Sequence, residues 1–189
     1  MMKIKSIISI CNAEKGVDVY GIGEGFEQFF AANSAMYLMS GLPKLGEEEI
    51  YMLFGVPLDK QDKFNVGITE GYPHRFDLSS RNDDVGVARS NIKIKAFGGE
   101  YEPIGTSQGV VYISSKYLAP FDDIKDGVQL YERVDKYGKV YLAVKSGFML
   151  VGIIRPEAIT NQWFCDSLKK LAELTKVAAD NGQGVVEEI

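Results

Sequence analysis

Apolar and polar positions alternate most regularly between Val128 and Pro156. Two runs, VQLYERV (128–134) and KVYLAVKSG (139–147), flank Asp135-Lys136-Tyr137-Gly138, whose acid and glycine suit a tight turn, so the pattern predicts a hairpin. The second run passes through Ser146-Gly147 into a nearly all-apolar strand, Phe148 to Ile154, stopped by Pro156, which has no N–H to give a ladder. A meander therefore closes this part of the chain. The best helical pattern follows, Asn161 to Asp180, with Thr160 or Asn161 as its cap. Phe164, Leu168, Leu171, Leu174 and Val177 or Ala178 share one face of it, and Lys169, Lys170, Glu173 and Lys176 the rest. Residues 182–189 read as a loose tail.

Upstream, Lys3 to Lys15 places Ile4, Ile7, Ile8 and Cys11 on one helical stripe, and Gly16 is expected to end that helix. VDVYGIGEGFEQFFAANSAMYLM (17–39) reads as strands broken by a turn around Gly21, Gly23 and Gly25. These glycines do not make a dinucleotide cradle, because Phe26 stands where the third glycine of G-x-G-x-x-G belongs and no helical stripe follows. After Gly41-Leu42-Pro43, Gly46 to Val56 predicts a short helix with Glu47, Glu48 and Glu49 at its positive end, terminated by Pro57. Lys63 to Thr69 alternates as a strand, and residues 71–91 are polar, turn-rich and the expected boundary between halves. NIKIKAF (91–97) reads as a strand with Lys93 and Lys95 on one face, GGEYEPIGTSQG (98–109) as loop and GVVYIS (109–114) as a strand. SKYLAPFDDI (115–124) is a short helical segment confined by Pro120.

These elements give an α+β chain of two similar βαβ-type halves with antiparallel sheets and short helices, residues 1–80 and residues 81–189, the second carrying the C-terminal helix. At 189 residues, 46% hydrophobic and 25% charged, the chain has the means to bury a substantial core. The formal net charge of −5 argues against basic surface all round but leaves room for a local basic face. Cys11 and Cys165 sit among apolar neighbours and read as free buried thiols. No charged-then-apolar leader and no run of about 18 apolar residues stands out, so a cytoplasmic protein without membrane contact is expected.

Candidate chemistry is sparse. The sole histidine, His74, lies in a loop with no partner ligands or nucleophile near it in sequence. Asp122, Asp123 and Asp126 offer an acid/base pair or metal ligands, but acids around a short helix are the usual dress of a capped, solvated turn. No nucleophile with a partner base emerges, so neither an enzyme nor a cofactor is expected.

The order VVYISSKYLAPF, VQLYERV, KVYLAVKSG, FMLVGIIRP resembles the closing domain of DNA sliding clamps, where a short Tyr-Leu-containing helix precedes strands and the chain finishes on an apolar strand ending in Met-Pro; Arg155 stands here at the Met position. The first half resembles a clamp domain too, with an opening helix, a hairpin, a strand EQFFAANSAMYLM, a short helix EEEIYMLFGV and a strand KFNVGIT. The resemblance implies a non-catalytic clamp-like accessory protein of DNA replication or repair, of phage or mobile-element type, assembled from about three subunits. It implies double-stranded DNA held through its phosphate backbone and a protein partner such as a polymerase. Lys3, Lys5, Lys169, Lys170 and Lys176 are then the DNA-facing positions. The rival is an α+β protein-interaction module that encircles nothing and docks through a sheet edge or its final helix.

Overall fold

The computed structural model describes all residues except 1, 23–26, 72, 80, 82, 91, 125–126, 159–161 and 181–189. It is an α+β protein of two compact units, Met1–Glu157 and Ala158–Ile189.

In the first unit, α1 (Ile4–Glu14) leads into the meander β1 (Gly16–Ile22), β2 (Glu27–Ala31) and β3 (Ala35–Ser40). Then α2 (Glu47–Phe54) and a 3₁₀ turn (Leu58–Lys63) bring β4 (Asn65–Glu70) back parallel to β1. Short strands β5 (Val85–Val87) and β6 (Ile94–Ala96) precede the β7 (Gly99–Thr106) and β8 (Gly109–Ser114) hairpin. Helix α3 (Ser115–Leu118) and a 3₁₀ turn (Ala119–Phe121) then open the second meander, β9 (Gln129–Val134), β10 (Val140–Ser146) and β11 (Met149–Ile154). The two meanders join through the antiparallel pair β3–β11, giving an eight-stranded sheet ordered β4-β1-β2-β3-β11-β10-β9-β5; β6, β7 and β8 form a separate three-stranded sheet.

The period-2 strands load both faces of the large sheet with apolar side chains, and each face acquires a cover. On one face, Ile7, Ile10 and Cys11 of α1, Ile50 and Phe54 of α2, and Tyr117, Leu118 and Phe121 pack on Val17, Val19, Phe30, Tyr37, Leu142 and Val144. Helix α1 is tied to the turn after α3 by Lys3 N–H donating to Pro120 O at 3.0 Å. The carboxylate of Glu14 closes the other end of this layer. It accepts from Lys116 Nζ at 2.8 Å, Tyr117 Oη at 2.6 Å and the backbone N–H of Asn33 at 2.8 Å. On the opposite face Phe29, Ala31, Met36, Tyr141, Ala143, Leu150 and Ile153 form a second cluster, joined by Phe76 and Leu78. A register shift between Val144 and Lys145 lets Gly152 face the helices while Leu150 and Ile153 face away.

Several expectations change. EQFFAANSAMYLM is two strands, because Asn33 and Ser34 form a tight turn closed by Ala32 N–H to Ala35 O at 2.8 Å. GGEYEPIGTSQG is largely strand: β7 has a neighbour on one side only beyond Tyr101, so Pro103 is tolerated there. Helix α1 ends on Lys15 in the left-handed conformation (φ 58°), not on Gly16. Gly16 serves close approach instead, since a Cβ there would fall 2.9 Å from Asn65 O. The division at 80/81 does not coincide with the compact units, because the large sheet draws strands from both sides of it. The cap Thr160 or Asn161, the glycine turn at Gly23 and Gly25 with Phe26, and the tail 182–189 lie outside the described residues.

The second unit contains α4 (Gln162–Asp180). Phe164 and Leu168 are half-buried, while Leu171 of the predicted stripe is exposed, as is Trp163. No helix among the described residues is long and apolar enough to cross a membrane.

Candidate functional site

Of the five predicted DNA-facing lysines, Lys3 and Lys5 belong to the Met1–Glu157 unit and Lys169, Lys170 and Lys176 to the Ala158–Ile189 unit. Lys3 is ion-paired with Asp123 at 2.8 Å, which raises its pKa, and Lys5 is exposed on the first turn of α1. Lys169 lies 3.7 Å from Asp166 on α4, Lys170 is exposed there, and the side chain of Lys176 lies outside the described residues. Phosphate binding draws its free energy from cations that displace counterions; a lysine already holding a carboxylate contributes less.

Asp122 and Asp123 do not converge as a catalytic pair. Asp123 holds Lys3, Asp122 lies 3.9 Å from Arg89, and Asp126 is outside the described residues. His74 is exposed in a turn. Cys11 is buried and its thiol is pushed up to about 12, by burial first and then by the charge of Glu14, so it is an inert core residue. Cys165 on α4 is half-buried. Among the described residues no group of three or more His, Cys, Asp and Glu is placed to hold a metal ion.

The concentrated polar chemistry lies elsewhere, on the sheet face away from the helices. The described residues of 73–84, part of the stretch 71–91 expected to be a boundary, lie against β9, β10 and β11. Arg133 donates to both carboxylate oxygens of Asp84, at 2.8 and 2.6 Å, and to the carbonyls of Asp77 at 2.7 Å and Ser79 at 2.9 Å. Lys145 pairs with the same Asp84, donates to Arg81 O at 2.5 Å and stands 4.8 Å from the centre of the Tyr131 ring. The three side chains are 2%, 3% and 5% exposed for Arg133, Asp84 and Lys145, so two buried cations share one buried anion. Nearby, Asp135 receives Arg75 Nε at 2.7 Å, and Arg75 lies over the rings of Phe76 and Tyr137.

The signal for this cluster was present in the pattern. The hairpin register set by the Asp135–Gly138 turn puts Arg133 opposite Tyr141 and Lys145 opposite Gln129, on the face shared with Ala143 and Leu150. Cations on a buried face demand acids, and the acid-bearing stretch 71–91 was the available source.

The carboxylates of Asp77, Asp84, Asp135 and Glu14 are held below their ordinary range. For Asp84, burial is the largest single effect and opposes ionisation, but hydrogen bonds and charge from Arg133 and Lys145 outweigh it. Burial likewise opposes ionisation at Asp135 and is overcome by the N–H groups of Lys139 and Tyr137 and by Arg75. Asp77, held first by hydrogen bonding from Ser79 and then by Arg81, is lowered to about 2. A depressed carboxylate contributes stability that is complete above its unfolded pKa and lost as pH falls through the folded one. The Met1–Glu157 unit is therefore expected to keep its urea midpoint down to about pH 4 and lose it progressively toward the value of about 2 for Asp77. Circular dichroism at stepped pH checks this; a midpoint that stays flat to pH 2 contradicts it.

A cavity of about 210 Å³ opens beside this network, at the end of the sheet where β1, the β2–β3 turn and β11 meet residues 73–76. Arg75 and Arg155 both line it.

Comparison of the chain with protein-family models, with curated proteins and with solved structures returned no match.

Proposed function

We propose that this chain is a non-catalytic, clamp-like accessory protein of DNA replication or repair that works by assembly and macromolecular contact. The observation that carries the reading is the doubled helix-plus-meander unit. Helix α1 enters β1-β2-β3, α3 enters β9-β10-β11, the meanders join edge to edge, and both helices cover the same face of the joined sheet. That is the element order by which the sequence resembles sliding clamps, and a helix layer backed by a continuous sheet is a scaffold that presents helices to a phosphate backbone. Among the described residues the large sheet also ends on two strands, β4 and β5, with one partner each, and unpaired edges are a means by which copies join head to tail. No reacting group is needed for such a role.

A second reading is favoured by one specific observation. Lys3 with Asp123 and Lys116 with Glu14 are paired within the helix layer, so two of the cations there are spent internally. This supports an interaction module that binds another protein without encircling DNA.

Salt-dependent binding to a random-sequence duplex separates the two. In the clamp-like reading the logarithm of affinity falls linearly with that of salt, and Lys169→Glu with Lys170→Glu lowers the slope by about 2. Lys5→Glu acts in the same direction, while circular dichroism is unchanged. Binding absent at low salt, or indifferent to all three changes, would favour the interaction module.

A further inference from the structure

Arg155 is the only arginine among the described residues for which no acidic partner is found: Arg75 holds Asp135, Arg81 holds Asp77, Arg89 holds Glu102 and Arg133 holds Asp84. Its Nε is buried and has no hydrogen-bond partner, whereas its backbone N–H is fixed by Ser34 O at 2.7 Å. The side chain thus springs from a rigid point, the end of β11 against the β2–β3 turn, with donor capacity unused. Buried donors left unmatched are costly and native proteins rarely keep them without a use.

The surroundings indicate that use. Arg155 lines the cavity of about 210 Å³ together with Arg75, whose Nε is committed to Asp135 and whose guanidinium carbon lies 5.5 Å from the Phe76 ring centroid and 5.6 Å from that of Tyr137. The one carboxylate among the described lining residues, Asp18, ion-pairs with neither arginine; its Oδ1 is turned onto β4, where a Cβ on Gly67 would collide with it. The remaining wall mixes the amide and hydroxyl of Asn33 and Ser34 with apolar surface from Ala31, Met36, Phe76 and Ile153. A planar guanidinium fork matches a carboxylate in two parallel hydrogen bonds. The cavity is below the range for drug-sized ligands, about 300–1,000 Å³, and is suited to a fragment of a few heavy atoms.

We propose that this cavity is a binding site for a small carboxylate bearing a short apolar substituent, gripped by Arg155 and oriented by the apolar wall. The same chemistry is offered by a free short-chain carboxylic acid and by the C-terminal residue of a peptide ending in a small apolar side chain. Inorganic phosphate lacks the apolar part and belongs to a different class. The proposal stands independently of the DNA-related reading.

Titration calorimetry of the full chain with isobutyrate, and with a short peptide ending in valine as free acid and as C-terminal amide, distinguishes the sources. At least one free carboxylate is expected to bind saturably; the tighter of isobutyrate and acid peptide identifies the source, and the amide is expected to bind at least tenfold more weakly than the acid peptide. Arg155→Met should weaken binding by tenfold or more and Arg155→Lys by less, as expected for loss of a charged, bidentate contact. In the unaltered chain the amide resonances of Asn33 and Ser34 should shift during the titration, a readout that needs no variant. No saturable binding by either acid, equal binding by Arg155→Met, unmoved Asn33 and Ser34 resonances, or phosphate binding as tightly as isobutyrate would each overturn the assignment.

Discussion

Asp84→Asn is expected to destabilise the Met1–Glu157 unit by about 3–5 kcal/mol, the loss found when one partner of a buried ion pair is removed. The reason is local. Among the described residues Asp84 is the single carboxylate paired with both Arg133 and Lys145, and all three side chains are nearly inaccessible to water. Removing its charge leaves two buried cations with no anion, facing the carbonyls of Asp77, Ser79 and Arg81 and the Tyr131 ring. Thermal unfolding should shift downward by on the order of 10 °C. Adding Lys145→Met to Asp84→Asn removes one of the stranded cations and should restore part of the loss, a coupling that a double-mutant cycle measures. An unchanged midpoint for Asp84→Asn would mean that Asp84 does not hold Arg133 and Lys145 as described.

Gly152→Ala carries the second large effect, and it probes the other face. Gly152 pairs with Tyr37 across the β3–β11 junction that joins the two meanders. A Cβ there would stand 2.5 Å from Phe121 Cζ, 2.9 Å from Phe121 Cε1 and 2.7 Å from Met36 O. Phe121 is buried against Tyr37, ring centroids 5.4 Å apart, and the carbonyl belongs to the neighbouring strand, so neither yields without displacing the layer. Overpacking of this kind costs about 1–3 kcal/mol, sometimes more. Chemical denaturation should show a midpoint shift of that size, and Phe121→Leu in the same chain should relieve part of it. Full stability of Gly152→Ala would contradict the close approach of helix layer and sheet.

The parts of the fold that were legible in the sequence are those where one face of an element is apolar and the other polar. The hairpin from Val128 to Ser146, the strand to Ile154, helix α1 and helix α2 follow directly from periodicity and turn chemistry. What stayed illegible has physical causes. Residues 71–91 look like a solvated linker because they are polar, yet Arg75, Asp77 and Asp84 spend that polarity on Asp135, Arg81 and the buried pair Arg133 and Lys145. Pattern reading treats a charge as a surface marker, and ion pairs formed across more than forty residues break that rule. β7 was hidden by Pro103 and its two glycines, whose effect depends on which neighbours the strand has. Pairing order was also beyond reach, since periodicity states which face is buried and not which edge meets which; the β3–β11 contact that unites the halves is of this kind.

The same limit applies to the candidate sites. The lysines named from the clamp resemblance were named without knowledge of their neighbours, and Lys3 and Lys169 prove to have carboxylates within ion-pairing distance. Arg155 was noted only as a departure from the clamp pattern, while the structure gives it a buried, unmatched Nε at the wall of a cavity.

The most direct test of the proposed function is topological. Light scattering gives the solution mass over a range of protein concentrations, and retention on circular duplex DNA is compared with retention on the same DNA after linearisation, in rising salt. A clamp-like protein is expected to form a closed assembly that stays on circles and is lost from linear ends. A monomer or dimer that treats circle and linear duplex alike would contradict the clamp reading, leave the α+β fold standing and assign the chain to the protein-interaction module.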